Sequence, residues 1–568
     1  MIFIKDNLKL LNKKELIKLN IIIIISVTCL LLEVVTAGLV YPLITSLLEP
    51  DYKFKIFNFD VNNLFNDYSY DLSLQISILF LIFLIFFIKS VIFSFNVFFS
   101  FRTLAQVNRR ISTELYSKYM SSGWTTISKK SISTILRNLT TESLNYPFKN
   151  LTSIINLIND FVLIVGLISL LIIIEARISI LAILFVCFCG FFLGYITRNY
   201  NINFGKIRAK QSKFINKHIV ETFRAIRNIK IMSKEKYFFD TYDNNYLREI
   251  RARANQAIIQ QLPKGILELI GIFTIFIVLY FFYLLDFDIP SATSYIGVFL
   301  VCMIRLIPSI NRILFSLQAL RFGKATLKIL SNEFYDLERK ENDINKSSSQ
   351  KKLNGKFEFL EFKDVDFSYE NRKSIFSKLN FIIKKNEIVG ISGETGKGKS
   401  TLLDLICGFL RQDSGKISIN DQELKDIKTD WQKKVGFVFQ ETYLLDVSLK
   451  NNIAFGYNED QIDTVKVMDS IKKAQLESFV KNLKEGINEK FGDIGLTLSG
   501  GQKQRIGIAR AMYNDPEILI LDESTSSLDI ETEENILKLL KELSLNCTII
   551  IVSHKQNTLK ICDKLIKL

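Results

Sequence analysis

Gly393-Glu394-Thr395-Gly396-Lys397-Gly398-Lys399-Ser400 follows the short apolar run Ile388–Ser392 and precedes a helical pattern over Leu402–Leu410. A strand, a glycine-rich loop and a helix in that order form a phosphate cradle. The glycines let backbone N–H groups approach anionic oxygens, and the helix N-terminus beyond them favours negative charge. In this pattern Lys399 is placed to contact the β- and γ-phosphates, and Ser400 to ligate Mg²⁺. Downstream, the buried-strand pattern Ile518–Leu521 delivers Asp522 and Glu523. Asp522 suits a direct or water-bridged Mg²⁺ partner, and Glu523 a group that polarises or deprotonates an attacking water. Of only two histidines, His554 follows the run Ile549–Val552, about thirty residues after that acidic pair. His218 lies in a loop of the first half and is assigned no role.

Between the two apolar strands stands Leu498-Ser499-Gly500-Gly501-Gln502. This element, with the loop and the acidic pair, makes residues 355–568 resemble the nucleotide-binding domain of ABC transporters. The resemblance implies ATP and Mg²⁺ as cofactors, with Gly393 through Thr401 on the nucleotide. It implies that Ser499, Gly500, Gly501 and Gln502 close over ATP held by a partner's phosphate loop, Ser499 and Gly501 contacting the γ-phosphate. Gln440, in Val438-Phe439-Gln440-Glu441, resembles the Q-loop residue that links Mg²⁺ and water to the membrane domain. Tyr369 resembles the aromatic residue that stacks on adenine, Asp529 matches the D-loop, and His554 matches the switch histidine. Thr395 and Lys397 depart from the small or neutral residues usual in the loop, and Ser524 and Ser527 stand where alanine is common; none removes a required group. An intact set implies two active sites in a dimer of identical chains, with a heterodimer left open.

The first 320 residues are of a different kind. Nearly half of the 568 residues are hydrophobic, 46 are Phe, and the apolar residues crowd into this half. Apolar runs near or above 18 residues read as membrane-spanning helices. Six are expected: Ile21–Leu48, Ile76–Phe99, Ile154–Ile174, Ile178–Tyr195, Ile266–Leu285 and Tyr295–Leu317. The net charge of +15 is no nucleic-acid signal, because it is distributed as membrane orientation requires. Residues 103–145 carry six Lys/Arg against two acids and residues 198–256 fourteen against five, whereas residues 49–71 carry five acids and two bases. The N-terminus, both long loops and the C-terminal domain are therefore expected in the cytoplasm, with the chain multi-pass in a bacterial inner membrane. Seven scattered cysteines show no metal-type spacing and are expected reduced.

The expected architecture is an α-helical membrane domain of six long helices, the type IV ABC exporter fold, over residues 1–330. A polar linker over 331–352 joins it to a C-terminal α/β nucleotide-binding domain over 353–568. Both long loops look helical, with short transverse segments at their tips around Trp124–Ser131 and His218–Arg227. Absence of a peptidase domain before the first span argues against a processing bacteriocin exporter.

What is moved is read from charge inside the spans, where it is costly and often functional. Arg305 and Arg312 lie two turns apart on nearly one helical face, with Pro308 between them predicting a kink. Counting about 1.5 Å per residue puts Arg312 and Lys264 near the inner headgroups and Arg305 roughly 10 Å deeper. Snorkelling explains Lys264 and Arg312. A cavity for anionic headgroups explains all three, and Glu33, Lys89, Asp160 and Glu268 are candidate ion-pair partners. The tracts Arg305–Ile313, Leu262–Lys264 and Leu267–Gly271, with the short C-terminus, resemble the lipid-linked oligosaccharide flippases of bacterial protein N-glycosylation. That resemblance implies a polyprenyl-pyrophosphate saccharide as substrate. An exporter of peptides, drugs or other glycolipids, and a non-transporting channel or regulator, remain the alternatives. The acidic, aromatic stretch Tyr52–Tyr70 reads either as a short external helix or as a solvated loop.

Overall fold

The computed structural model describes residues 9–48, 55–56, 59–60, 72–196, 198–284, 289–347, 351–369, 374–394, 396–491, 498–524 and 530–568. Thr395, Ser527, Asp529, Asp286 and Asp288 lie outside the described residues, as does most of Tyr52–Tyr70. The described part of that stretch pairs Lys55–Ile56 with Phe59–Asp60 as two antiparallel strands, rather than helix.

The chain divides into two compact units. One holds Met1–Ser121 and Lys129–Glu338, the other Ser122–Ser128 and Arg339–Leu568. The first unit is helical: α1 Lys13–Gly38, α2 Val40–Leu48, α3 Leu72–Ser121, α5 Ile132–Arg137, α6 Thr152–Ile174, α7 Ala176–Ile196, α8 Arg198–Arg224, α9 Ile226–Ile231, α10 Glu235–Leu284 and α11 Ile289–Ser347. The short helix α4 Trp124–Ser128 belongs to the second unit. Among the described residues five stretches are long and apolar enough to cross a membrane: Lys13–Leu48, Gln75–Ser121, Ile132–Ile174, Glu235–Phe282 and Ala292–Arg339. The remaining expected span falls on α7, an apolar helix of 21 residues. At 50 residues each, α3 and α10 run about 75 Å, far beyond a hydrocarbon core of about 30 Å. Phe80, Phe83, Phe87, Phe95 and Phe98 stand exposed along α3, as a lipid-facing helix requires.

Two local readings shift. The short helix in the second long loop is α9, Ile226–Ile231, not His218–Arg227, because α8 continues unbroken to Arg224 before Ala225 leaves helical geometry. The last membrane-domain helix extends through Ser347, so residues 331–347 of the expected linker are helix, as their Glu, Lys and Arg residues favour. Helix α11 runs on both sides of Pro308, and Ser309 Oγ donates to the Arg305 carbonyl 2.9 Å away.

Inside the first unit, α8 crosses the Phe322 backbone at Gly205, where a Cβ would come within 2.8 Å of the Phe322 carbonyl oxygen. Beside that crossing Glu142 accepts from Thr326 at 2.6 Å and faces Arg208 at 3.5 Å, all three buried. Two π-helical segments, Asn138–Glu142 and Tyr146–Leu151, flank this charge pair.

The second unit is an α/β domain. Its central parallel sheet has the order β9 Lys564–Lys567, β3 Ile388–Ser392, β8 Thr548–Val552, β7 Ile518–Asp522, β6 Val435–Val438. An antiparallel sheet of β2 Ser374–Lys384, β1 Phe359–Ser368, β4 Ser414–Ile419 and β5 Gln422–Glu423 accompanies it. Strands buried on both faces read as unbroken apolar runs, and their alternate residues serve two cores. Leu519, Leu521, Ile549 and Ile551 pack with Leu449, Ile506 and Met512, while Ile518, Ile520, Ile550 and Val552 pack with Leu402, Ile406 and Trp431. Trp431 on α13 Leu424–Lys434 is fully buried, and its indole N–H donates to the Ile406 carbonyl at 2.8 Å. This ties the phosphate-loop helix α12 Lys399–Ile406 to α13.

Candidate functional site

Parallel register sets the site. β7 pairs with β8 so that Asp522 lies opposite Val552, and β8 pairs with β3 so that Val552 lies opposite Ile391. Glu523, His554 and the start of the phosphate loop consequently emerge from the same sheet edge, the place where open parallel sheets bind ligands. The loop turns through Gly396 at φ +88° and Gly398 at φ +98°, a region that disfavours side chains. At Gly398 a Cβ would also approach Ile375 within 2.6 Å.

Lys399 is only 8 % exposed. Its Nζ donates to the Gly393 carbonyl at 3.0 Å, lies 2.7 Å from His554 Nε2 and 3.9 Å from Glu523 Oε1. His554 Nε2 is also 3.2 Å from Glu523 Oε1, and Gln440 Nε2 donates to Glu523 Oε2 at 3.1 Å. One ring nitrogen cannot both accept from the ammonium and donate to the carboxylate. The shorter distance is the one to Lys399, whose ammonium can only donate. Glu523 is held at φ +45°, its amide donating to the Val552 carbonyl, so both carboxylate oxygens face this cluster. The structure thus brings together Lys399, Gln440, Glu523 and His554 from four separate segments.

Ser499 caps the helix α15 Gly500–Met512. Its Oγ accepts from the Gln502 amide at 3.2 Å while Gln502 Oε1 accepts from the Ser499 amide at 2.9 Å. This reciprocal cap leaves the Gly500 and Gly501 amides at a positive helix end without side chains in the way. Tyr369 is half-exposed, with its hydroxyl 3.3 Å from Thr401 Oγ1 and its ring edge-on to Phe367. Glu394 and Lys397 are exposed on the loop, and the Lys397 amide donates to the Glu394 carbonyl at 3.2 Å.

Burial, with Glu523 alongside, pushes the Asp522 carboxyl up. A further carboxyl that the motifs do not flag, Asp404, is pushed up to about 6 by burial and the Asp522 charge. It stands one helical turn after Ser400, and so on the same face of α12. Spacing from Ser400 could have found it. Hard oxygen donors on Ser400 and Asp522, with Asp404 close enough to feel the Asp522 charge, are a donor set that fits Mg²⁺. When bound, that ion would neutralise phosphate charge. A carboxyl raised on folding stabilises the fold below its unfolded value near 3.8 and loses that contribution as pH rises through about 6. Asp404→Asn is therefore expected to raise Tm at pH 8 without Mg²⁺ by the equivalent of about 1 kcal/mol, discounted for partial exposure. The gain should vanish near pH 4. Thermal melts at both pH values check it, and an equal shift at both would contradict it.

Five of the charges expected in the spans, Glu33, Lys89, Asp160, Arg305 and Arg312, are paired. Glu33 on α1 bonds Arg305 on α11 through Oε1 and lies 2.8 Å from Lys89 on α3 through Oε2. The Phe86 ring lies 5.5 Å from Lys89 and 5.6 Å from Arg305. Arg312 donates twice to Asp160 Oδ1, at 2.9 and 2.6 Å, and once to Ser309 at 2.8 Å. Lys264 is exposed.

The profile of the ABC transporter transmembrane region matches residues 19–305, and that of the ABC transporter ATP-binding segment matches residues 376–526. This chain belongs to the ABC transporter family. A putative export ATP-binding/permease protein of Rickettsia typhi is 41 % identical over 207 residues, a match that spans 36 % of this chain and 36 % of that protein. The ATP-dependent lipid A-core flippase of Francisella tularensis is 29 % identical over 423 residues, 73 % of this chain and 68 % of that one. Among solved structures, a bacterial Atm1-family ABC exporter with ATP bound superposes with a TM-score of 0.76 at 18 % identity, over 96 % of this chain and 93 % of that one. That likeness is one of fold.

Proposed function

We propose that the protein is an ATP-driven ABC exporter that works as a dimer of half-transporters and moves a lipid-linked oligosaccharide, a polyprenyl-pyrophosphate saccharide, from the cytoplasmic to the outer leaflet. The observation that carries the ATPase is Glu523, held by Gln440 on one oxygen and facing Lys399 and His554 with the other. Such a carboxylate is fixed where it can orient or accept a proton from an attacking water, while Lys399 meets the phosphates. Ser400 and Asp522 would hold Mg²⁺. Ser499–Gln502 and Asp529 would complete the site of a second copy of the chain.

The substrate reading is supported by charge in the spans. Glu33, Lys89 and Arg305 sum to one net positive charge at a depth where an uncompensated charge is costly. An anionic pyrophosphate would neutralise it, with Lys264 and Arg312 nearer the inner headgroup level. A lipid-anchored glycolipid of the lipid A class is the second reading, and the Francisella relative favours it. Purified protein in proteoliposomes, given a fluorescent polyprenyl-pyrophosphate saccharide, should move it only with ATP. ATP hydrolysis without such movement, together with movement of a lipid A analogue, would replace the first reading by the second.

A further inference from the structure

Arg510 lies eight residues beyond Gln502 on α15, and all of its observed bonds reach towards the segment that follows Gln440. Its Nη1 donates to the Tyr443 carbonyl at 2.9 Å, Nε to the Asn452 carbonyl at 2.8 Å and Nη2 to Asn452 Oδ1 at 3.2 Å. The guanidinium sits 4.7 Å from the Phe455 ring centre. Asn452 is fully buried. Its amide donates to the carbonyls of Leu445, Val447 and Ser448, and its oxygen accepts from the Leu445 amide at 2.9 Å. Arg510 and Asn452 together therefore hold the chain from 443 to 448, three residues past Gln440. One turn earlier on α15, a Cβ at Gly507 would lie 2.6 Å from Thr442 Oγ1 and 3.4 Å from a Val438 methyl. The helix backbone thus lies against both flanks of Gln440, while Gln440 itself reaches Glu523.

Among the described residues Arg510 has no carboxylate within ion-pair distance. Its charge is met by oxygens of Tyr443 and Asn452, so its favourable energy depends on where that segment stands. A planar fork also fixes orientation, which a lysine ammonium does not.

We propose that Arg510 is a positioning residue that ties the Gln440 segment to α15, so that movement of Gln440 at the ATP site moves Ser499–Gln502 on the same domain. This rests on the reading of Lys399, Gln440, Glu523 and His554 as an ATPase site. In a dimer the link carries the state of one ATP site to the motif that closes over the other.

The test is a double-mutant cycle on the full-length protein in lipid, with ATP turnover and binding of a fluorescent ATP analogue measured together. Arg510→Gln and Arg510→Lys should each lower kcat about tenfold. Both should leave nucleotide affinity within about twofold, because neither touches the phosphate loop. The variant carrying Gln440→Ala with Arg510→Gln should be no slower than Gln440→Ala alone, since both changes break one link. Gly507→Ala supplies an independent arm, and its effect should likewise vanish on the Gln440→Ala background. Multiplying losses, rescue by lysine, or a fall in nucleotide affinity parallel to Tm would show Arg510 to be only a brace of the fold. If Arg510→Gln does not fold, the Gly507→Ala cycle decides alone. A wild-type protein that turns over no ATP would sink the ATPase reading itself. Turnover in the wild type with unchanged variants would sink only the link.

Discussion

Glu523→Gln is expected to lower ATP turnover by about a hundredfold or more while leaving nucleotide binding intact. The amide keeps the size of the carboxylate and one carbonyl acceptor for Gln440 Nε2, now 3.1 Å away, so the loop should hold its place. What it lacks is the negative charge that faces Lys399 at 3.9 Å and His554 at 3.2 Å, and the capacity to take a proton. Removing the charge should not weaken ATP binding, because it relieves repulsion with the phosphates and frees Lys399 for them. Single-turnover hydrolysis and binding of a fluorescent nucleotide measure the two effects separately. A variant that hydrolyses within about threefold of the wild type would remove Glu523 from the chemistry.

Arg305→Ala is expected to abolish ATP-dependent movement of the pyrophosphate-linked saccharide while ATP hydrolysis persists. Arg305 shares Glu33 with Lys89, and that sharing provides the control. Without Arg305, the Lys89–Glu33 pair is electrically neutral and offers an anion little. Without Glu33, as in Glu33→Gln, two cations remain and the attraction for an anion rises. If the net positive charge recognises substrate, Arg305→Ala fails and Glu33→Gln still transports. If Arg305 only braces three helices through Glu33, both variants fail alike, since each breaks the Arg305–Glu33 pair and Glu33→Gln in addition strands two cations at a cost of several kcal/mol. Translocation and hydrolysis assayed on the same proteoliposomes distinguish these outcomes.

Much of the nucleotide domain is legible because its central strands are buried on both faces. Ile388–Ser392, Ile518–Asp522 and Thr548–Val552 read as apolar runs, and each leads into a site segment, at Gly393, Asp522–Glu523 and His554 respectively. Helices of the membrane domain are legible for a similar reason, as lipid demands apolar side chains over a fixed length. Asp404 escapes a motif reading, because its perturbation comes from the packing of α12 against β7 and not from its neighbours in sequence. Arg510 escapes too: a basic residue in a helix looks like a solvated one until its carbonyl partners, more than fifty residues upstream, are seen. The break at Ala225 before α9 escapes a sequence reading, because polar, basic helix composition is continuous across residues 198–256.

By itself, then, the sequence determined the family of the nucleotide domain, the number and order of its motifs and the membrane character of the first half. Local spacing and hydrophobic periodicity carry that information along the chain. Only the tertiary structure decided that Glu33 lies between Lys89 and Arg305, that Arg312 is taken up by Asp160, and that Glu523 is met by Gln440, Lys399 and His554 together. Those partners lie tens to hundreds of residues apart. Their meeting is fixed by helix packing and strand register, and charge pairing falls off over a few ångströms of space, whatever the separation along the chain.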